Sequence, residues 1–433
     1  MFQKKPHSAQ SMPALASTTF MITLCFCQTA VAADLCVNPS GANGCSKTIQ
    51  AAVTAASPND TINVAAGTYK ESVTIGKPLS LISSGASQTI IEATGLGSGI
   101  YVDGIDNKGL ANVVVSGFTV QNANFEGILV TNASSVTISG NILTGNDKSL
   151  NFAGDSSTCP GIPDFETGED FDCGEAIHLI GVDHSIVLNN TIQNNAGGIL
   201  LSDDTGATHD NLIIGNNVSN NVWDCGITLA SHPPAALTGS STALGVYQNT
   251  VTNNQAVNNG TKGEGAGVGI FASAPGTAAY SNVVTNNVLT GNGIPGVAIH
   301  GHTPQQNLNN NSIIGNTISG NGADEADTPT AGPAGINVAG VSPITGTVIM
   351  QNTISQEMLA VVINAPGDAR IQRNTFPGGG IGVANLRGAA VNADANFWGC
   401  AADPTAGLSG FAGCSLTMGK ITVGSWLTTA PGK

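Results

Sequence analysis

The sequence predicts an all-β solenoid, in which short strands stack coil upon coil around one core. Two short phrases recur along the chain, Asn-x-Ile-x-x-Asn and Gly-Ile-x-Leu, with close variants of each. Gly contributes 56 of 433 residues and charged residues only 9%, while Asn, Thr, Val and Ile are abundant. This composition suits strands and tight turns. Regular repetition over such a length indicates one elongated domain rather than several.

The first 33 residues have the pattern of a secretory signal peptide. Lys4 and Lys5 supply positive charge, an apolar run follows from Phe20 to Cys27, and Ala30-Val31-Ala32 is an A-x-A cleavage site. No later stretch has the roughly 18 uninterrupted apolar residues that a membrane span requires. We therefore expect a secreted, periplasmic or cell-surface protein whose mature domain covers residues 34–433.

Seven cysteines follow the predicted signal, and six of them form close pairs in the sequence. In an exported protein, such proximity predicts local disulfides. The expected bridges are Cys36–Cys45, Cys159–Cys173 and Cys400–Cys414. Cys225 is left over, and we interpret it as an inert core thiol.

The charge balance restricts the possible partners. The formal net charge is −15, and between Ser149 and Ala369 the only Lys or Arg is Lys262. Nucleic acid and anionic membranes are therefore poor partners. A polyanionic sugar would need Ca²⁺ or another cation as a bridge, and no other cofactor is indicated.

Residues 34–66 are expected to cap the N-terminal end of the solenoid. Ser46 can N-cap a short helix with an apolar stripe. Strands are then predicted at Thr61 to Val64, Glu71 to Ile75, Leu79 to Ser83 and Thr89 to Glu92. A helix over Thr48 to Ala56 followed by Gly67-Thr68-Tyr69 resembles the opening of the pectin-lyase-like proteins, which are right-handed parallel β-helices. The resemblance implies that fold and says little about activity.

Copies of the Asn phrase extend the resemblance over residues 46–400. They lie at Asn141 to Asn146, Asn190 to Asn195, Asn216 to Asn221, Asn249 to Asn254, Asn287 to Asn292 and Asn316 to Asn321. They resemble the PbH1 repeats of NosD-like and related sugar-binding β-helices. Asn side chains at equivalent turns can form ladders that satisfy open main-chain groups. We interpret these Asn residues as structural and expect Asn220→Ala to cost about 1–3 kcal/mol.

Residues 395–433 are expected to cap the C-terminal end. The stretch from Ala395 to Cys400, which reads Ala-Asn-Phe-Trp-Gly-Cys, resembles the N-[WF]-W-G turn common near the end of such helices. Trp398 and Trp426 are predicted to cover the open end of the core.

Alignment of the Gly-Ile-x-Leu phrases predicts which side chains leave the core, because alternate residues of a strand point to opposite faces. The inward pairs are Ile177 and Leu179, Ile199 and Leu201, Ile227 and Leu229, Val268 and Ile270, and Val297 and Ile299. One outward column is His178, Leu200, Thr228, Gly269 and Ala298, and the next is Ile180, Ser202, Ala230, Phe271 and His300. We expect this outward face to be an exposed sheet with ionisable residues at its edges.

Those ionisable residues are the candidate site. The predicted catalytic residues are His178, Asp203, Asp204, Asp224 and His232, because Asp and His suit acid and base roles. The predicted substrate contacts are Trp223, Glu175, Glu264, His300 and His302. The acidic insertion from Asp155 to Asp172 is expected to form one wall of a cleft.

Each of these residue types has a structural alternative. Asp203 and Asp204 can instead cap main-chain N–H groups or hold Ca²⁺. His232 precedes two prolines and can simply shape a turn, and Trp223 can pack beneath one. His300 and His302 form a His-x-His pair, which is a weak metal signal without a third ligand.

The resemblance implies three reaction types. Lyases of this fold use Lys or Arg near a uronate, and only Lys262 is available here. Polygalacturonases carry N-T-D, D-D and G-H-G on successive coils, where this chain has Asn195-Ala196-Gly197, Asp224-Cys225 and Gly263-Glu264-Gly265. Epimerase-like chemistry also lacks its Arg. We therefore predict a polysaccharide-binding protein, with hydrolysis favoured over lysis. The alternative is a non-catalytic carbohydrate-binding or NosD-like protein.

Overall fold

The computed structural model describes residues 32–153, 156–166, 173–326, 328–376, 378–406 and 413–431, together with residue 1. The predicted signal peptide, apart from its two ends, therefore lies outside the described residues, and so do Asp155 and Asp172. Residues 32–433 form one compact unit. Among the described residues, no helix is long and apolar enough to cross a membrane.

Three long parallel sheets wind around a shared apolar core, and most coils contribute one short strand to each sheet. Sheet 1 contains Asp34–Val37, Thr61–Val64, Ser80–Ser83, Val114–Ser116, Thr137–Ser139, Ile186–Leu188, Leu212–Ile214, Thr250–Thr252, Val283–Thr285, Ser312–Ile314, Ile344–Met350, Gly367–Gln372, Ala390–Asn392 and Ile421–Thr422. Sheet 2 contains Val73–Ile75, Ile100–Asp103, Ile128–Thr131, Ile177–Ile180, Ile199–Ser202, Ile227–Ser231, Val268–Ala272, Val297–Gly301, Ala334–Ala339, Leu359–Asn364, Ile381–Asn385 and Leu416–Met418.

Sheet 3 completes the solenoid. It contains Gly67–Tyr69, Thr89–Glu92, Thr119–Gln121, Ile142–Thr144, Thr191–Gln193, Asn217–Ser219, Gln255–Val257, Val288–Thr290, Thr317–Ser319 and Thr353–Ser355. Three smaller sheets pair Asn151–Ala153 with Ser156–Thr158, Thr208–His209 with Val246–Tyr247 and Ala279–Tyr280, and Asn396–Phe397 with Trp426–Leu427. The predicted right-handed parallel β-helix is confirmed.

The N-terminal cap differs from the prediction in two details. The helix spans Ile49–Ala55, and its cap is Thr48, whose Oγ1 accepts the Ala51 N–H at 3.2 Å. Ser46 instead lies beside the first strand, where it forms an isolated bridge with Val37 and its N–H donates to the Cys36 carbonyl. Glu71, predicted as strand, accepts the N–H groups of Ile49 and Gln50 at 2.8 and 2.9 Å. The strand therefore begins at Val73.

Buried asparagines form ladders along the solenoid, as expected. In the longest ladder each Nδ2 donates to the next Oδ1 at 3.0–3.1 Å, through Asn141, Asn190, Asn216, Asn254, Asn287, Asn316, Asn352, Asn374 and Asn396. A second ladder joins Asn146, Asn195, Asn221, Asn259, Asn292 and Asn321 and ends on Glu357. The copy predicted at Asn249 to Asn254 is therefore misaligned. Asn254 and Asn259, not Asn249 and Asn254, stack on Asn216 and Asn221 of the preceding coil.

The cysteines and the two C-terminal tryptophans lie as the sequence predicts. All three predicted disulfides are present, and Cys225 is a buried free thiol. Trp398 is fully buried and packs on Phe376 with ring centroids 5.1 Å apart. Trp426 is half-buried against the end of the core, and its Nε1 donates to the Ala401 carbonyl at 3.0 Å.

Candidate functional site

The outward face of sheet 2 has the predicted register but not the predicted exposure. His178 pairs with Leu200, Leu200 with Thr228, and the columns continue as expected through Ala298 and His300. However, the outward side chains from His178 to Ala298 are buried, so the prediction of an exposed sheet is wrong. Near one end Glu166, from the insertion before Ile177–Ile180, places a donor atom within 4.8 Å of Glu126. Farther along, the ring of Phe271, itself in an outward column, lies over Gly269.

The first polar cluster on this face surrounds His178. Its Nε2 lies 2.9 Å from Ser202 Oγ, and its Nδ1 lies 3.8 Å from Glu126 Oε1. Ser98 Oγ donates to Glu126 Oε2 at 2.6 Å. Burial raises the pKa of Glu126, but the neighbouring His178, together with Glu166 and Ser98, outweighs that effect and leaves this pKa below its usual value.

Glu126 was missed in the sequence, although a signal existed. It stands two residues before Ile128, and Glu175 stands two residues before Ile177, which pairs with Ile128. Glu126, Glu166 and His178 each place one donor atom within 4.8 Å of the others. A mixed carboxylate and imidazole set suits Zn²⁺ or Mn²⁺ better than Ca²⁺, which prefers six to eight oxygens.

The second cluster brings Glu175 and Asp224 together across Gly197. A Cβ atom at Gly197 would lie 2.7 Å from Glu175 Cγ and 3.6 Å from Asp224 Oδ2. Glu175 is fully buried, and Asp224 is 9% exposed. Glycine thus leaves room for the side chains of Glu175 and Asp224, which approach it from the two flanking coils. Next to them, Cys225 Sγ accepts the Ala266 N–H at 3.1 Å, and burial raises the pKa of this thiol well above its usual value.

The third cluster contains Asp203, Asp204 and His232, which the sequence predicted as catalytic. His232 Nδ1 lies 3.1 Å from Asp204 Oδ2, and both side chains are buried. The Asp203 carboxylate accepts Ser231 Oγ at 2.9 Å and the His232 N–H at 2.7 Å, together with the N–H groups of Leu244 and Gly245. These hydrogen bonds are the main-chain capping that the structural alternative for Asp203 describes. A catalytic role for Asp203, Asp204 and His232 stays a prediction.

The predicted substrate contacts are scattered rather than gathered. His300 is buried against Phe271, and burial together with His302 lowers its pKa to about 3. Its Nδ1 lies 4.0 Å from Asp324 Oδ2, which is too long for a hydrogen bond. His302 and Glu264 are exposed. Among the described residues, neither His300 nor His302 belongs to a group of three converging metal donors.

Trp223 is half-buried, and one of its faces is occupied. The Lys262 ammonium lies 5.7 Å from the centroid of the indole ring, a cation–π contact. The main chain of Gly263 also lies close to that of Trp223, because a Cβ atom at Gly263 would be 2.0 Å from the Trp223 carbonyl oxygen. A sugar ring could therefore stack only on the opposite face of the indole.

Comparison with known proteins defines the class. A family model described as "Right handed beta helix region" matches residues 82–318, more than half of the chain. The chain belongs to this right-handed β-helix family. A comparison with curated protein sequences gives no match.

Solved structures share the fold at low sequence identity. The chain is similar to the Dettilon tailspike protein gp208 (TM-score 0.52, 13% identity), covering 84% of this chain and 62% of that one. It is also similar to ORF18 of Geobacillus virus E2 (TM-score 0.51, 12% identity; 75% and 58%). The catalytic domain of a GH87 α-1,3-glucanase in complex with nigerose is a third (TM-score 0.50, 14% identity; 87% and 67%). This chain thus spans less than two thirds of both phage-related chains.

Proposed function

We propose that this protein binds a polysaccharide along the outward face of sheet 2 and hydrolyses it. The observation that carries the proposal is the approach of the Glu175 and Asp224 side chains to Gly197 from the coils on either side. Glycoside hydrolysis needs two carboxyl groups that flank the scissile bond, and paired carboxyl groups on a solenoid face supply them. His178, on the strand that follows Glu175, adds a third ionisable group.

In this reaction water attacks the anomeric carbon and the glycosidic C–O bond breaks. One carboxylic acid of the pair donates its proton to the leaving oxygen. The other either takes the proton from water or bonds transiently to the sugar. The buried Asp204–His232 pair is a second candidate for proton transfer, since a carboxylate at Nδ1 orients the imidazole.

The substrate is expected to be neutral or bridged by a cation. Lys262 is the only Lys or Arg between Ser149 and Ala369, so a uronate would meet carboxylates without a compensating Lys or Arg nearby. The same shortage disfavours a lyase. Because the neighbouring folds are less than 25% identical, the proposal rests on the carboxylates and not on what those proteins bind.

A second candidate function is carbohydrate binding without catalysis. The burial of Glu175 and Asp224 favours it, because a glycan can reach them only if the covering segments move aside. Export is part of either proposal. The three disulfides suit an oxidising compartment, and the signal peptide predicted for residues 1–33 would supply the route.

A glycan array followed by product analysis tests both candidates. We expect the mature chain to retain neutral glycans, or uronate glycans only when Ca²⁺ is present, and to release shorter products from them. Retention without products would favour the binding protein. Retention of uronate glycans in the presence of a chelator would contradict the predicted charge preference.

A further inference from the structure

Two histidines lie side by side at a turn outside the covered face. Asp183 and His184 follow the sheet 2 strand Ile177–Ile180, and His209 and Asp210 occupy the equivalent turn of the next coil. The His184 N–H donates to the His209 carbonyl at 3.3 Å, and the His209 N–H donates to the Val182 carbonyl at 3.1 Å. Main-chain pairing between coils therefore fixes the spacing of the two imidazoles.

The side chains at this turn converge as metal ligands do. His184, His209 and Asp210 each place one donor atom within 4.8 Å of the others. The two imidazole centroids are 6.0 Å apart with an interplanar angle of 80°. Two imidazoles bound to one tetrahedral ion at about 2.0–2.1 Å would have centroids about 5–6 Å apart. Only a small side-chain adjustment is therefore needed to share an ion.

Carboxylates orient both rings. His184 Nδ1 lies 2.6 Å from Asp183 Oδ1, and His209 Nδ1 lies 2.8 Å from Asp210 Oδ2. In metal sites, a carboxylate at one ring nitrogen fixes the tautomer and leaves the other nitrogen to bind the ion. At His184 this leaves Nε2 for the ion, and Asp183 acts as a positioning residue. At His209 the ion would take the place of the proton between Nδ1 and Asp210 Oδ2, so that both of these atoms become ligands.

An aromatic stack holds the His209 ring in place. His209 stacks on Tyr247 with centroids 4.8 Å apart and planes within 7°, and Tyr247 stacks on Tyr280 at 5.1 Å. The stacked faces cover one another, so the faces between these rings are closed to a sugar. Instead, the stack restricts rotation of the imidazole, which lowers the entropy cost of ligation.

We propose that His184, His209 and Asp210 bind a divalent transition-metal ion of the Zn²⁺ class. Two imidazoles and a carboxylate are a donor set that Zn²⁺ favours and Ca²⁺ does not. The carboxylates of Asp183 and Asp210 balance the charge of the ion. Three protein ligands leave a fourth position for water or another molecule. This site is separate from Glu175 and Asp224 and does not depend on the proposed function.

Calorimetric titration of Zn²⁺ into chelator-treated mature protein at about pH 7.5 tests the site. The parent should bind one ion here. His184→Ala should weaken that binding at least tenfold, and Asp183→Asn about 10–100-fold, as for other residues that orient a ligand. His178→Ala is the matched control, because it removes the imidazole of the other converging group, with Glu126 and Glu166, and should leave this binding unchanged.

Thermal unfolding with and without Zn²⁺ provides a second readout that does not depend on calorimetry. Zn²⁺ should raise the Tm of the parent and of His178→Ala, and should raise that of Asp210→Asn much less. The metal-free Tm of each variant checks that it folds. A parent that binds no Zn²⁺ would overturn the proposal. So would loss of binding in His178→Ala with full binding retained in His184→Ala and Asp210→Asn.

Discussion

The carboxylate of Asp203 accepts the main-chain N–H of His232 at 2.7 Å, across two adjacent coils. Its other oxygen accepts Ser231 Oγ and the N–H groups of Leu244 and Gly245. One buried side chain therefore hydrogen-bonds to both ends of the loop that begins at His232 and ends at Gly245, and holds these ends together. Substitution of Asp203 should affect folding more directly than chemistry.

Asp203→Asn should lower the free energy of unfolding by about 1.5–3 kcal/mol at neutral pH, the range for hydrogen bonds to a charged group. The new amide would also direct N–H toward main-chain donors. Urea denaturation measures the change. Asp106→Asn is the control, because Asp106 is exposed, and it should stay within about 0.5 kcal/mol of the parent. An Asp203→Asn variant as stable as the parent would contradict the fastening role.

The same residue should influence how stability depends on pH. Burial raises the pKa of Asp203 above its ordinary 3.8, despite the opposing hydrogen bonds. The folded state therefore binds this proton more tightly than the unfolded state. The resulting stabilisation is complete below the ordinary pKa and is lost as pH rises through the folded pKa. The stability of the parent relative to Asp203→Asn should therefore increase as the pH falls through that acidic interval, and parallel curves would contradict the shift.

Substitution of Asn220 and of Asn221 should affect stability differently, because only Asn221 belongs to an asparagine ladder. Asn221 is buried, accepts the Asn195 N–H and Nδ2 at 3.0 Å, and donates to Asn259. Asn221→Ala should cost about 1–3 kcal/mol for each buried group left unsatisfied. Asn220 is exposed with φ 58°, so the cost expected for Asn220→Ala from the ladder was assigned one residue too early. Asn220→Gly, which suits this φ, should be nearly neutral in urea denaturation. Equal losses in both variants would contradict the ladder.

Leu229 and Thr228 test the orientation of the sheet 2 strands. Leu229 faces the core and Thr228 the covered outer face, although both are buried. Leu229→Ala should destabilise by about 2–5 kcal/mol. Thr228→Ala removes only a hydroxyl and a methyl group from a position outside the core, and should cost about 1 kcal/mol. A larger loss for Thr228→Ala in chemical denaturation would mean that the inward and outward columns are exchanged.

Cys225 should be unreactive in the folded protein. It is buried, and burial with the nearby Asp224 charge raises its pKa, so little thiolate forms at neutral pH. In the mature chain, a thiol reagent should label no residue before denaturation and only Cys225 after it, without reductant. Rapid labelling of the native protein would show that the covering segments open readily, and would count against the closed face.

The fold and the register of the strands could be predicted from periodic features of the sequence. Alternation of Ile and Leu identified both outward columns, and proximity identified the three disulfides. Both signals depend only on residues that are close together in the sequence, so they can be recognised without knowing how the coils pack. The misreading of Asn249 to Asn254 has the same origin. Asn249 belongs to a third ladder, with Asn211 and Asn282, and only the stacking of the coils distinguishes it from the other two.

The covering of the face could not be predicted in the same way. Glu166 reaches Glu126 from an insertion 40 positions along the chain, and no period encodes that contact. Phe271 was assigned to an outward column correctly, but its ring lies over Gly269 only because glycine leaves room. Asp203 was assigned to catalysis because a charged pair in a turn looks the same in sequence whether it caps main-chain groups or meets a substrate.

The most direct test of the proposed hydrolase is turnover of a retained glycan by Glu175→Gln and Asp224→Asn, measured as new reducing ends. Both variants should lose about 10²–10⁴-fold in turnover, while glycan binding, circular dichroism and Tm stay close to those of the parent and of Asp106→Asn. Full turnover in both variants would contradict the central claim.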